Sequence, residues 1–284
     1  MTALRWDRDA VKRRSGKTIA YLALISASLF MVFPFVWMLV SSLKPFGEIF
    51  AGDSFLPQSP TLDNYVRLFR DGAAHLKVWN SFFIAAVYTI AAVLLCTMGG
   101  YAFAKFRFPG RRTLFAIMLA TMTIPFAVVM IPLFIMMRNV FGWIDTPWPL
   151  IVPTAANAFG IFFMRQYLLA FPDEILDAAR VDGASELAIF RRIVLPTSIP
   201  GLVSLGIIFF MARWNDFLWP LAILRSDEVR TLPLMLIALQ GPPGRTAYDL
   251  LMAGSVVSVL PMLLIFVLLQ RHLVAGATSG AIKG

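Results

Sequence analysis

The sequence predicts an all-α membrane protein: six transmembrane helices, with a polar amphipathic insert on the cytoplasmic side between the fourth and fifth. Three observations carry this prediction. At 59% hydrophobic and only 14% charged residues, the composition lies outside the range of soluble domains. Six apolar runs, approximately 18–42, 78–104, 113–137, 147–165, 199–222 and 250–270, reach the length of about 20 residues that crosses roughly 30 Å of hydrocarbon. Residues 172–200, PDEILDAARVDGASELAIFRRIVLPTSIP, then break the apolar pattern where a short loop would suffice.

The first run is too long for a signal-peptide core and has no small-residue cleavage site behind it, so it reads as a retained helix. Basic residues set the orientation. Arg5, Arg8, Lys12, Arg13, Arg14 and Lys17 precede the first run, and Lys105, Arg107, Arg111 and Arg112 follow the second with no acidic residue among them. Both groups face the cytoplasm by the positive-inside rule. Two crossings later the insert lies on the same side, with Arg165, Arg180, Arg191 and Arg192 in or beside it. Both termini are therefore expected inside, giving a cytoplasmic segment 1–17, a membrane domain 18–271 and a cytoplasmic tail 272–284. Juxtamembrane arginines facing membrane lipid account for much of the formal charge of +9. That charge calls for no nucleic-acid partner, because no basic run is interleaved with stacking aromatics.

Within the insert, Pro172 suits a helix start, and Asp173 and Glu174 put negative charge at its positive dipole end. A first helix over 173–181 should end at Asp182-Gly183, where glycine supplies a left-handed turn. Ser185 can cap a second helix carrying Leu187, Phe190, Ile193 and Val194 at apolar spacing, with Glu186, Arg191 and Arg192 on other faces. Pro196 is expected to stop that helix and Pro200 to restart the chain as the fifth span. The product is an elbow of two short helices.

The chemistry of catalysis is poorly supplied. Cys96 is alone in an apolar run and reads as a buried small hydrophobe. His75 and His272 are expected on opposite sides of the membrane, so neither a metal cluster nor a His-based triad is assembled. Gly16-Lys17-Thr18 imitates the end of a phosphate loop, but Val11 stands where G-x-x-x-x-G-K-S/T needs its first glycine. The chain is expected to bind no cofactor and to hydrolyse no nucleotide.

The spacing Asp177-Ala178-Ala179, Asp182-Gly183-Ala184, Phe190, Ile193, Pro196 and Pro200 resembles the Glu-Ala-Ala ("EAA") signature of the membrane subunits of bacterial ABC importers. Asp177 stands where Glu is usual, which shortens the reach of that carboxylate. Further fragments resemble the maltose-type permease of carbohydrate importers. In order these are Ser41-Ser42-Leu43-Lys44-Pro45, Thr61-Leu62-Asp63-Asn64-Tyr65, Asn80-Ser81, Tyr101-Ala102-Phe103-Ala104, Phe108-Pro109-Gly110-Arg111, Trp214-Asn215-Asp216-Phe217 and the end from Gly276 to Gly284. Each is weak alone; their order along nearly the whole chain is specific.

The resemblance implies a six-helix permease in a bacterial inner membrane. Its partners would be a homologous second permease, two ATPase subunits carrying ATP and Mg, and an extracytoplasmic sugar-binding protein. The helix after Asp182-Gly183 would be a coupling helix lying in a groove of the ATPase. Carried over, Asp177 and Asp182 supply charge or capping, Ala178, Ala179 and Ala184 close backbone approach, Gly183 the elbow, and Phe190 an apolar anchor. The tail Gly280, Ala281, Ile282, Lys283 and Gly284 would be a second ATPase contact, the alternative being a frayed end.

Arg213, Trp214, Asn215 and Asp216 stand late in the fifth run, where a charge at the bilayer centre costs at least about 2.5–3.5 kcal/mol. Either they line a translocation path suited to sugars, or they sit in an outer aromatic belt with snorkelling heads. Pro125, Pro132 and Pro261 mark expected kinks. Loops 43–77 and 224–249 are long enough to dock an external protein, with Arg67, Arg70 and Arg245 as steering charges or as solvated surface. A self-contained secondary carrier or channel is the competing class. It is disfavoured because Asp216 is nearly alone as an intramembrane acid and no repeat relates two halves. An ABC permease for a non-sugar solute is the other alternative.

Overall fold

The computed structural model describes residues 3–52, 54–242 and 246–278, with side chains described over 17–52, 54–242 and 246–269. Among the described residues all regular structure is helical. The chain divides into two compact units, Met1–Gly72 with Leu239–Val257, and Ala73–Ala238 with Ser258–Gly284.

In the first unit, α1 (Ala3–Ser42) runs through Pro34 without a break. Its apolar stretch Lys17–Ser42 contains an 18-residue window that buries nothing inside the chain, whereas Ser41 and Ser42 at its end are buried. Beyond it, helix α2 (Asp63–Arg70) returns Asn64 and Tyr65 to the end of α1. The Asn64 amide donates to the carbonyls of Ser42 at 2.8 Å and Lys44 at 2.9 Å, and the Tyr65 and Ser42 hydroxyls lie 2.7 Å apart. Two sequence fragments that are weak singly thus form one hydrogen-bonded corner. Arg67 is not a free steering charge, because its guanidinium bonds the buried Asp249 carboxylate at 2.8 Å. Arg70 pairs with neighbouring Asp71 at 2.8 Å, and Arg245 lies outside the described residues.

The second unit is built on α3 (Ala74–Lys105), a 32-residue helix about 48 Å long at 1.5 Å per residue. Helices α4 (Arg111–Thr121) and α5 (Phe126–Met136) follow, and a π-helical turn extends α5 through Phe141. The expected third span is therefore two pieces bent by 96°. The break falls at Thr123–Pro125, where Pro125 removes a backbone donor and holds extended geometry, while Pro132 is absorbed inside α5.

The expected fourth span, 147–165, is corrected more strongly. A single turn at Trp148–Ile151 gives way to irregular chain at Val152–Asn157, and α6 (Ala158–Leu169) begins only where the Asn157 carbonyl oxygen Oδ1 accepts the Gly160 amide. Pro153 and this cap explain the break. At 12 residues, α6 is about 18 Å long, short of a full crossing.

Helix α6 packs on α3 through a close approach at Gly160. A side-chain carbon there would lie 2.6 Å from both Cys96 Sγ and Phe209 Cζ. Cys96 is fully buried at this contact, as its apolar setting predicts. At the start of α3, Asn80 donates to the carbonyls of Glu228 (2.7 Å) and Arg230 (3.0 Å), and the Ser81 hydroxyl accepts the Leu232 amide at 2.8 Å. Buried Lys77 pairs with Asp227 beside them.

The insert forms α7 (Asp173–Val181) and α8 (Glu186–Ile189), the latter continuing through a π-helical turn, Phe190–Val194, to Thr197. Pro196 does not stop this helix. The wide turn, closed by the Leu195 amide on the Phe190 carbonyl, opens the spacing that the proline ring would otherwise clash with, and the chain bends one residue past Thr197. Helix α9 (Ile199–Trp214) leaves at 78° to α8.

The expected fifth span also ends early, at Trp214 rather than 222. Asn215 turns its side chain back onto the Met211 carbonyl at 2.8 Å, a local bond that competes with the helix, and a separate helix α10 (Leu218–Ile223) follows. Helix α11 spans Leu232–Gln240 and α12 spans Tyr248–Thr278, the latter continuous through Pro261. Among the described residues three helices are long and apolar enough to cross a membrane, or up to five if each bent pair is one span. The six-span count therefore stays an expectation.

Candidate functional site

The elbow in the second unit is a connected polar assembly. Helix α7 starts behind Pro172 with Asp173 and Glu174 in its first turn. It ends as a Schellman motif. The Ala184 amide bonds the Ala179 carbonyl and the Gly183 amide the Arg180 carbonyl, both at 3.0 Å, with Gly183 at φ +81° and open space where a side chain would stand. That geometry gives the Ala-Ala and Asp-Gly-Ala spacing a backbone reason: Ala179 and Ala184 are the two residues the motif brings together, and both pack partly against the core. Ser185 caps α8, its hydroxyl accepting the Ala188 amide at 3.3 Å.

Side chains lock the two arms. The Arg180 guanidinium reaches Asp177 and Glu186, each at 2.7 Å. Glu186 above all holds Arg180 fully charged, with Asp177 adding to the effect. The other Glu186 oxygen accepts the Tyr101 hydroxyl at 3.1 Å. One turn further along α3, Lys105 Nζ donates to the Phe171 carbonyl and to the Asp173 carboxylate, both at 2.6 Å. The Lys105 ammonium, chiefly by that hydrogen bond, holds the Asp173 carboxyl below the usual carboxylate range. The elbow is therefore clamped to the end of a long apolar helix at two points.

Phe190 does not project outward as an anchor. It is buried against Tyr101, ring centroids 5.8 Å apart, in the core beside Ile189 and Val194. Among the apolar residues that do project, Val181, 87% exposed, and Leu187, 62% exposed, are the most open, with Ile175 on α7 less so. Val181 and Leu187 stand beside exposed Asp177, Ala178, Asp182 and Gly183, with Pro196 exposed further along. Neither Val181 nor Leu187 follows from helical periodicity, since Leu187 shares its apparent face with buried Phe190.

A second polar cluster forms where α9 ends. Arg213 bonds Asp216 at 2.6 Å and the Thr154 hydroxyl at 2.7 Å, with its guanidinium carbon 4.2 Å from the centre of the Tyr88 ring. The Arg213 side chain is 9% exposed, and its Nε has no partner. A cavity of about 210 Å³ is lined by Tyr88, Phe126, Thr154, Ala212, Arg213 and Asp216, room for about seven waters at their liquid volume. Trp214 and Asn215 are not part of it. Trp214 is buried, stacked 5.8 Å from Phe210 and donating to the Ser258 carbonyl at 3.1 Å; Asn215 is spent on its own helix. Thr154 and Tyr88 were not separable in the sequence from ordinary span residues. Gly280, Lys283 and Gly284 lie outside the described residues, and among those described no group of three His, Cys, Asp or Glu side chains could hold a metal.

The family described as "Binding-protein-dependent transport system inner membrane component" matches residues 96–278 of this chain, a range containing the elbow and every residue lining the Arg213 cavity except Tyr88. The chain belongs to that family. It is therefore a transport-system membrane subunit of the inner membrane. Among relatives, the permease is 36% identical over 281 residues to the arabinooligosaccharides transport system permease protein AraQ of Halalkalibacterium halodurans, covering 96% of this chain and all of that one. It is 34% identical over 273 residues to the lactose transport system permease protein LacG of Rhizobium radiobacter, covering 96% of this chain and 98% of that one. In structure it superposes on a chain of a bacterial ABC transporter involved in the import of the acidic polysaccharide alginate, with TM-score 0.81 and 26% identity over 91% of this chain and 96% of that one.

Proposed function

We infer that this permease is the membrane subunit of an ATP-driven carbohydrate importer, coupled to ATPase subunits through the 172–196 insert. The observation that carries the reading is the clamped elbow: a Schellman corner at Gly183 whose arms are tied by Arg180 and whose base is tied to α3 by Tyr101 and Lys105. A partner pressing on Val181 and Leu187 would move α3 and α9 instead of folding a loose loop. Switching a two-state transporter from 1:99 to 99:1 takes about 5.5 kcal/mol of differential interaction. A stiff lever is the means of delivering it from outside the membrane.

In this reading six spans cross the membrane with both termini inside, the bent pairs and the short α6 each serving within one crossing. A homologous second permease completes the path, two ATPase subunits supply ATP hydrolysis, and an extracytoplasmic binding protein delivers the cargo. The relatives named for arabinooligosaccharides and lactose support a sugar as cargo. The Arg213 cavity suits one: the Asp216 carboxylate balances the arginine, leaving N–H, hydroxyl and carbonyl groups for a neutral polyol.

Reconstitution tests the reading. Uptake of an oligosaccharide into proteoliposomes should require the co-purified ATPase subunits, ATP and the binding protein together. Uptake by this chain alone, driven by an ion gradient, would make it a secondary carrier.

A further inference from the structure

A separate cluster at the same end of the second unit has no role in the elbow or the cavity. Arg111, Arg112 and Arg165 line a pocket of about 290 Å³ with Phe115, Ala116 and Leu119. An adjoining hollow of about 370 Å³ shares Arg111 and Arg112 and adds Arg107. None of these four arginines has a carboxylate within ion-pair distance among the described residues. Two are fixed by the fold. Arg165 Nε donates to the Phe103 carbonyl at 3.3 Å while its guanidinium carbon lies 4.3 Å from the centre of the Phe115 ring, and Arg111 Nη1 donates to the Phe106 carbonyl at 2.9 Å. Four like charges gathered without a counter-ion repel one another, so an anion that neutralises them is favoured there.

We propose that this pocket seats the phosphate of an anionic phospholipid, with Arg111, Arg112 and Arg165 as the headgroup ligands and Phe115, Ala116 and Leu119 as the track for an acyl chain. Guanidinium groups take a phosphodiester in bidentate fashion. The apolar residues follow the arginines along α4, which has no fully buried residue, and Leu119 lies roughly 12 Å deeper than Arg111 at 1.5 Å per residue. A free phosphate ion would use the arginines and leave that track idle, which is why a lipid is assigned. Bound lipid would brace the base of α4 beside α6, the helix that leads into the elbow. Neither the cargo nor the ATPase enters this assignment.

Native mass spectrometry of the full-length chain with its co-purifying subunits tests it. Phosphatidylglycerol should be retained in preference to phosphatidylcholine of the same acyl chains. Exposed Arg112→Gln should weaken retention roughly fivefold, and Arg111→Gln with Arg112→Gln by the product of two such steps. Arg138→Gln, an exposed arginine on the extension of α5, should change nothing and controls for net charge. Equal retention of the two lipids, no loss in Arg112→Gln, or the same loss in Arg138→Gln would overturn the proposal. Displacement of the lipid by millimolar inorganic phosphate would also overturn it, assigning the pocket to a soluble anion.

Discussion

The Tyr101 hydroxyl, in the last turns of a 32-residue apolar helix, donates to Glu186 at 3.1 Å across 85 residues of sequence. Glu186 in turn holds Arg180 at 2.7 Å. One carboxylate thus joins the membrane helix, the first arm of the elbow and the second. Tyr101→Phe should remove one bond and cost about 1 kcal/mol. Glu186→Ala should remove the junction, leave ATP hydrolysis by the partner subunits intact and sharply reduce uptake. The comparison of hydrolysis with uptake in proteoliposomes checks this; equal loss of both in Glu186→Ala would mean misassembly instead of uncoupling.

Gly183 sits at φ +81° with open space around the position a Cβ would take, so a substitution there meets backbone strain and no clash. Gly183→Val should cost about 1–2 kcal/mol and impair uptake without preventing membrane insertion, whereas Gly183→Asn, which tolerates the left-handed region, should be milder. Uptake rates at matched membrane levels decide. Normal uptake by the valine variant would remove the elbow from the mechanism.

The Asp173–Lys105 contact is pH-dependent with a definite sign. Because the folded state lowers the Asp173 pKa, the pair stabilises above the ordinary aspartate value of about 3.9 and is lost as pH falls through the lower folded value. Asp173 is 72% exposed, so the effect is small. Thermal unfolding of the purified chain between pH 6 and 3 should show the wild type losing more stability than Asp173→Asn.

Arg213 is nearly buried and depends on Asp216 for charge balance. Asp216→Ala should cost about 3–5 kcal/mol, the usual penalty for stranding a buried charge. Replacing both, Arg213→Met with Asp216→Leu, should restore assembly. If the cavity forms part of the path, the double variant should assemble and still fail to transport, which uptake set beside complex yield will show.

Much of this was legible in the chain. The start of α7 at Asp173, its end at Gly183 and the Ser185 cap are local, because each depends on residues within four positions. What was not legible was non-local. Periodicity placed Leu187 and Phe190 on one face, but Phe190 is buried against the Tyr101 ring, a partner 89 positions earlier in the chain, while Leu187 is left outside. Apolar length placed continuous spans at 147–165 and 199–222, yet Asn157 spends its side chain capping a helix that starts only after it, and Asn215 bonds back onto the Met211 carbonyl where its helix ends. Tyr88, Thr154 and Lys105 gain their meaning only from partners more than 50 residues away.

Force is held to enter this permease through the exposed tip of the elbow. A photo-cross-linker placed at Val181 or Leu187 in the assembled complex reads this directly. Adducts with an ATPase subunit are expected, with a yield that changes when ATP is added, and none from the same probe at Leu29 on α1. Val181 and Leu187 probes that capture only lipid, or no nucleotide-hydrolysing subunit at all, would contradict it.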